Sequence, residues 1–486
     1  MTLSYIPSDT NDEGILKAAA SGSLPNGKPV VVNADGTVSV VGETSVSQSA
    51  GSLSEFASSI GSSVLTGSTF DSSAGKVVVA YQDAGDSNKG KAAVGTVSGD
   101  SISFGTPVTF NTGQSSNFAA TFDSSNSKVV IAYTDIGNSN RGTAVVATVS
   151  GTNISFGSEA VFETGATYGA AAAFDSYNDK VVITYQDNSN NNFGSAVVGT
   201  VSGTSISFGT KVQLSTATYL YGSIAFDSFN NKILTAYRGS GSSYGRSRVG
   251  TVSGTSISFG TEVVFESATT AGTDIVYDSN ANKAVLVFNR GSNVYGVSKV
   301  GTVSGTTISF GTEVVYKAAA SQNHRAVYHE DAKKVVIAYQ DGTNSYLTAF
   351  IVGTVSGTTI SYTSELDVNY VLNTPSITYD SINKKVVVST RNYLNSSKGM
   401  SAVYTPAYTS ANLTAENYIG ISTGGTYASG SNATIKIIGN TSNEQTSLTA
   451  GQAYYVQTDG TIGTTADDPS VFAGTAISAT KLLVKT

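Results

Sequence analysis

Three acidic loops are the first places where residue type and spacing suggest chemistry. They read Asp83-x-x-Asp86-x-Asn88-x-Gly90, Asp135-x-x-Asn138-x-Asn140-x-Gly142 and Asp187-x-x-Asn190-x-Asn192-x-Gly194. Oxygen ligands in a tight, Gly-containing loop are what Ca²⁺ takes. Each loop offers few charged ligands, however, and the spacing is not that of an EF-hand. Asp and Asn also build turns through their own backbone hydrogen bonds. The turn reading is preferred, and no metal or cofactor is assigned. The two histidines, His324 and His329, fall at opposite ends of one expected strand. That puts them roughly 16 Å apart at about 3.3 Å per residue, too far to share an ion. Both are expected to be surface turn residues. Cys is absent, so thiolate chemistry is excluded. No Gly-x-Ser-x-Gly sits at a strand-to-helix elbow. No pair of carboxylates can be nominated for hydrolysis. The chain is expected not to be an enzyme.

What positions these residues is a repeat. An aromatic followed by Asp recurs at Phe70-Asp71, Phe122-Asp123, Phe174-Asp175, Phe226-Asp227, Tyr277-Asp278 and Tyr379-Asp380, with a degenerate copy at Tyr328-His329. The spacing is 51 or 52 residues, which makes seven copies. A second landmark is the Gly of V-G-T-V-S-G, at Gly95, Gly199, Gly250, Gly301 and Gly353, with Ala147 standing in once. Self-similarity at such a period marks propellers and solenoids. Each unit reads as four strands, typified by NFAATFDS (a), KVVIAYTD (b), GTAVVATVSG (c) and NISFGSEAVF (d). They are rich in Val, Ile, Thr, Phe and Tyr and are bounded by Gly, Asn, Ser and Asp. Strand b is nearly continuous in apolar residues, as a sheet covered on both faces requires. The expected fold class is all-β, a seven-bladed β-propeller of four-stranded repeats with small N- and C-terminal β modules. An open β-solenoid is the alternative.

Composition narrows the function classes. Trp is absent, so the blade signatures of Asp-box sialidases and WD40 repeats cannot be met. Arg141, Arg238, Arg246, Arg248, Arg290, Arg325 and Arg391 do not recur at one blade position, as an arginine cluster for an acidic substrate would need. The net charge of −7 argues against nucleic acid as a partner. No run of eighteen apolar residues supplies a membrane span. The N-terminal stretch lacks the basic and apolar regions of a secretory signal, so assembly in a host cytoplasm is expected.

Three regions follow. Residues 1–50 hold an N-terminal hairpin over Lys28–Val41, a possible helical turn at Lys17–Ala20, and a Ser/Gly-rich linker over Ser45–Ser54. Residues 51–410 are the repeats. Their closure needs a strand for blade seven, supplied either by AENYIGIS or by an N-terminal strand. Residues 411–486 form a β-rich module. Within it, Ser447–Thr464 parallels Ser23–Val40, with Ser, Leu, Gly, Val and an Asp-Gly-Thr turn in register. A shared docking element and reuse of a common hairpin are both open readings. The pieces LPNGKPVVVNADGTVSVV, LTAENYIGIS, LTAGQAYYVQTDGTI and VFAGTAISATKLLVK resemble terminal modules of structural and fibre proteins of tailed bacteriophages, particularly marine ones. The resemblance implies a virion-attached appendage, a head or tail fibre or decoration protein, held to other virion proteins through these modules. Homo-oligomeric assembly is left open.

Within the repeats the a–b and c–d turns stay alike, whereas the b–c and d–a loops differ in every unit. Antiparallel strands put these two sets on opposite faces. The expected ligand face is the variable one, with Tyr168, Tyr219, Tyr221, Tyr244, Arg246, Tyr295, Arg325, Tyr346 and Tyr393 on it. Tyr and Asn suit sugars, so the expected ligand is a host-surface glycan. The alternatives are a decoration or polymerising subunit without a ligand and, less favoured, a glycan depolymerase.

Overall fold

The computed structural model describes residues 14–61, 66–239, 241, 243–291, 294–371, 373–392 and 397–485. Tyr393 lies outside them. The chain divides into two compact units, Gln48–Pro406 and a second built from Met1–Ser47 with Ala407–Thr486. A single 3-10 turn, Ile136–Asn138, is the one helical element among the described residues. No helix there is long and apolar enough to cross a membrane.

The first unit is a ring of seven blades. Strand b is eight residues in each, from Lys76–Asp83 in blade one to Lys385–Asn392 in blade seven. It pairs antiparallel with strand a on one side and strand c on the other. Val77, Val78, Val79 and Ala80 are all fully buried. Side chains alternate across a strand, so both faces of the blade are covered, as the apolar run requires. The innermost strands touch in order around the ring, and Asn373–Asp380 of blade seven lies against Gly67–Asp71 of blade one. The ring is therefore closed.

The recurring Asp has one job. Its buried carboxylate ends strand a and accepts backbone N–H groups of the a–b turn, as Asp71 does from Ser73 (3.0 Å) and Ala74 (2.9 Å). The same bonds recur at Asp175, Asp227, Asp278 and Asp380. In the degenerate copy His329 does this work, with Nδ1 accepting from the Ala332 N–H at 3.1 Å. Its Nε2 faces the Lys384 carbonyl of the next blade at 3.2 Å.

Four expectations are corrected here. The d–a connections of the first five blades are not loops. The chain runs straight on in sixteen-residue strands such as Val108–Asp123 and Val212–Asp227. Each pairs first with strand c of its own blade and then with strand b of the next, so its backbone groups are satisfied in both halves. The expected linker at Ser45–Ser54 is also structured. Ser49–Ala50 and Ser54–Ala57 pair with Lys398–Thr405 and complete blade seven. Gly51 shows why this segment fits. In blade one a Cβ at Gly105 would meet the Thr152 carbonyl of the neighbouring c–d turn at 2.3 Å, and a Cβ added at Gly51 would meet the Asp100 carbonyl at 1.7 Å, so both places need glycine. Third, His324 and His329 are fully buried rather than surface residues. Fourth, Lys17–Ala20 is no helical turn, since Ile15–Ala19 is a strand paired with Asn432–Lys436.

In the second unit the two chain ends share one sheet, so they are not separate modules. The order is Ile15–Ala19, Asn432–Lys436, Tyr418–Thr423, Pro29–Val32, Val38–Val40. A second sheet repeats that order with contiguous residues: Thr441–Ser442, Lys481–Val484, Val471–Ser478, Ala453–Val456, Ile462–Gly463. The match extends to details. Val30 pairs with Gly420 and Tyr454 with Gly474, each next to a register shift. Gly420 and Gly474 have φ of 151° and 152°. Asp35 and Asp459 accept from the Thr37 and Thr461 N–H, both at 2.9 Å. The unit is a duplicated β module. Its second copy joins Gly463 to Val471 by a short link, and the corresponding place in the first copy carries the whole propeller.

Candidate functional site

Every innermost strand from blade two to blade six carries a β-bulge where it leaves the variable face. The register shifts fall between Ser116/Ala119, Tyr168/Ala171, Leu220/Ser223, Ala271/Asp274 and Gln322/Arg325. A bulge needs one residue in an unusual conformation. Here Asn117, Gly169, Tyr221, Gly272 and Asn323 have φ between 51° and 61°. Gly and Asn tolerate this left-handed region, whereas an aromatic held there is strained by about 1–3 kcal/mol. Tyr221 is that exception. Its carbonyl accepts the Thr273 hydroxyl of the next blade, and the Arg238 guanidinium lies 5.4 Å from its ring centroid. The side chain is 53% exposed.

The first residue after the bulge defines a ring at the mouth of the central channel. In blades two to six it is Ala119, Ala171, Ser223, Asp274 and Arg325, with Gly67 and Ser376 at the equivalent register in blades one and seven, all lining a hollow of about 510 Å³. Blades one to three are small and uncharged there, and blades five and six carry the charges. Asp274 accepts the Ser223 hydroxyl from blade four and the Ala326 N–H from blade six, the latter at 2.9 Å. Burial pushes its pKa up, against the opposing pull of Arg325 and these hydrogen bonds. Arg325 donates to the His324 carbonyl at 2.8 Å.

A second hollow, of about 660 Å³, opens on the same face where blades seven, one, two and three meet. Gln82, Gln114, Asn117, Tyr168 and Arg391 line it. The Gln82 amide donates to the Ser115 carbonyl at 2.6 Å, and Arg391 donates to the Ser397 hydroxyl at 2.7 Å. Gln82 and Arg391 occupy a column near the end of strand b that is polar in every blade: Gln82, Thr134, Gln186, Arg238, Asn289, Gln340, Arg391. In blades one, two and five this side chain braces the next blade, with Gln82 donating to the Ser115 carbonyl, Thr134 to the Thr167 carbonyl and Asn289 to the Ser321 carbonyl.

The expected ligand residues part company. Arg325 lines the channel hollow, Tyr221 stands exposed against Arg238 and lines neither hollow, and Tyr168, 48% exposed, borders the second hollow. Tyr346 is equally exposed and also left-handed, with φ 59°, in the b–c turn of blade six. Tyr244 and Tyr295 open strand c of blades four and five and are partly buried. Arg246 is ion-paired with Glu262. Tyr219 is a correction. It is 2% exposed, donates its hydroxyl to Thr184 Oγ1 at 2.9 Å and packs on Tyr237, so it is a core residue. Asp274, Arg238 and Arg391 were missed as ligand candidates. Aligning the repeats on the aromatic-Asp pair would have exposed the Asp274–Arg325 column as the one place where small residues give way to charge.

The acidic loops behave as turns. Asp83 accepts from Gly85 N–H at 2.9 Å, Asp135 from Asn138 at 3.2 Å and Asp187 from Ser189 at 3.1 Å. Among the described residues Asp341, Glu365 and Asp367 also cluster, but Lys317 Nζ lies 2.5 Å from Asp341 and 2.9 Å from Glu365. A lysine thus fills the place a cation would take.

No family model and no curated protein matches this chain. Among solved structures it is similar to a protein from Lactobacillus plantarum, at 10% identity and a TM-score of 0.46, covering 72% of this chain and 98% of that one. It is also similar to the leech intramolecular trans-sialidase complexed with 2,7-anhydro-Neu5Ac, at 10% identity and a TM-score of 0.41, covering 73% and 68%. Likeness at this level carries no argument about activity.

Proposed function

We propose that this protein is a non-catalytic, virion-attached appendage whose propeller holds a host-surface glycan on its variable face. The observation that carries the ligand part is the hollow lined by Gln82, Gln114, Asn117, Tyr168 and Arg391. Side-chain amides and a guanidinium offer donors and acceptors to hydroxyl groups, and an exposed phenol ring offers an apolar face to a sugar. The opposite face is built from near-identical turns whose polar groups are spent on the fold. The virion part rests on the resemblance of the terminal segments and on their pairing into one duplicated module. The carboxylate clusters support the non-catalytic reading, since lysines and tyrosines already engage them: Lys211 bridges Glu163 and Asp187, and Lys317 bridges Asp341 and Glu365.

The test is binding of the full chain to a glycan array and competition of phage adsorption to host cells. Tyr168→Ala combined with Gln114→Ala should leave folding unchanged, because both side chains are exposed, and should weaken binding. An array that stays blank with the wild-type chain, or a double variant that binds as well as wild type, would overturn the reading.

A further inference from the structure

We infer that the hollow where blades seven, one, two and three meet takes an anionic sugar residue, with its carboxylate or sulfate oxygens held by the Arg391 guanidinium. The inference rests on the glycan reading above and names the class of glycan. Charge is the first observation. Among the described residues that line this hollow, Arg391 carries the one charge, and the rest are amides, hydroxyls, small residues, Tyr168 and two isoleucines. The channel hollow is different, because Asp274 and Glu330 line it together with Arg325 and would repel an anion. The chain as a whole carries −7, so a guanidinium over a lining without carboxylates reverses the sign locally.

The guanidinium is also held in place. Arg391 is 9% exposed and donates to the Ser397 hydroxyl at 2.7 Å. The Ser397 carbonyl accepts the Ile60 N–H at 2.9 Å, and the Gly61 N–H donates to the Gln82 carbonyl at 3.3 Å. Blade seven, the segment before blade one and blade one itself thus fix the floor of the hollow before a ligand arrives. A guanidinium is a planar fork that meets two oxygens of one oxyanion, and such charge-assisted bonds are the stronger ones. Asn88, Gln114 and Asn117 line the same hollow and offer amides to the hydroxyls of that sugar. Its volume of about 660 Å³ falls in the range of small-molecule sites, roughly 300–1,000 Å³. The fold does not demand a charge at this place, since Gln82, Gln186 and Gln340 occupy it in blades one, three and six.

The experiment offers the full chain an array of uronate-containing, N-acetylneuraminate-terminated and sulfated oligosaccharides. Their neutral partners stand beside them: the methyl esters of the acids and the desulfated forms. Wild type should bind at least one anionic member about tenfold more tightly than its neutral partner. The ester and desulfated arms tell a carboxylate from a sulfate. Arg391→Gln installs the residue of blades one, three and six, and should lose that margin while binding the neutral partners as wild type does. Lys17→Gln removes an exposed charge from the terminal unit and should leave the margin intact. Equal affinity of wild type for every anion and its neutral partner, or an undiminished margin in Arg391→Gln, would overturn the anionic reading and leave the glycan reading standing. Should Arg391→Gln fail to fold, the comparison of partners on wild type decides alone. A blank array would overturn both readings.

Discussion

Lys385 Nζ lies 2.8 Å from Asp100 Oδ1, and this pair joins blade seven to blade one. Asp100 sits in the c–d turn of blade one and also accepts hydrogen bonds from Ser49 (2.8 Å) and Thr405 (3.2 Å). It therefore holds the closing strand from the N-terminal segment and strand c from the C-terminal part of the ring at once. These contacts pull the Asp100 carboxyl below its usual range, led by the Lys385 and Ser49 hydrogen bonds.

Asp100→Ala should loosen that joint. The pair is partly exposed, so the ionic contribution is about 0.5–1 kcal/mol, screened further by salt. The expected result is a melting temperature lower by a few degrees, with the difference shrinking at high ionic strength. A variant as stable as wild type in low salt would show that closure does not depend on Asp100.

The two histidines set an acid limit on the fold. Burial lowers the pKa of both, that of His324 to about 3. Their folded pKa values lie below the unfolded value near 6.5, so the unfolded chain binds more protons in acid. The stability contributed by the neutral rings is complete above about pH 6.5 and is lost as pH falls, for His324 down to about pH 3. His324→Phe, matching Phe118 in blade two, together with His329→Asp, matching the other six blades, should flatten the fall. The check is the urea midpoint at pH 7 and pH 5. An identical drop in wild type and the double variant would sink the assignment.

Tyr219 and Tyr168 separate core from surface. Tyr219→Ala removes a buried ring that packs on Tyr237 and hydrogen-bonds Thr184, and should cost about 3–5 kcal/mol. Tyr168→Ala should change stability by less than about 0.5 kcal/mol. Denaturant unfolding of the two variants reads both values, and similar losses would refute the placement of these side chains.

The sequence by itself determined the blade. Strand b reads as buried on both faces because Val129, Val130, Ile131 and Ala132 form one unbroken apolar run. The a–b turn follows from an Asp at a fixed place, because capping is a contact between residues two or three apart. Even the paired hairpins at Asp35 and Asp459 were legible, since an Asp-Gly-Thr turn is a local structure. All of these depend on neighbours in the chain.

What only the tertiary structure decided involves partners far apart or a broken alternation. Ser49–Ala50 and Ser54–Ala57 close blade seven against Lys398–Thr405, a pairing no local pattern announces because these edge strands are short and weakly apolar. Tyr219 and Tyr221 should share one face of a regular strand, since side chains two apart point the same way. The bulge at Tyr221 breaks that alternation, so Tyr219 enters the core and Tyr221 stands in solvent. The meeting of Ser223, Asp274 and Arg325 likewise belongs to the ring. Each comes from a different blade, and only closure brings their strands side by side.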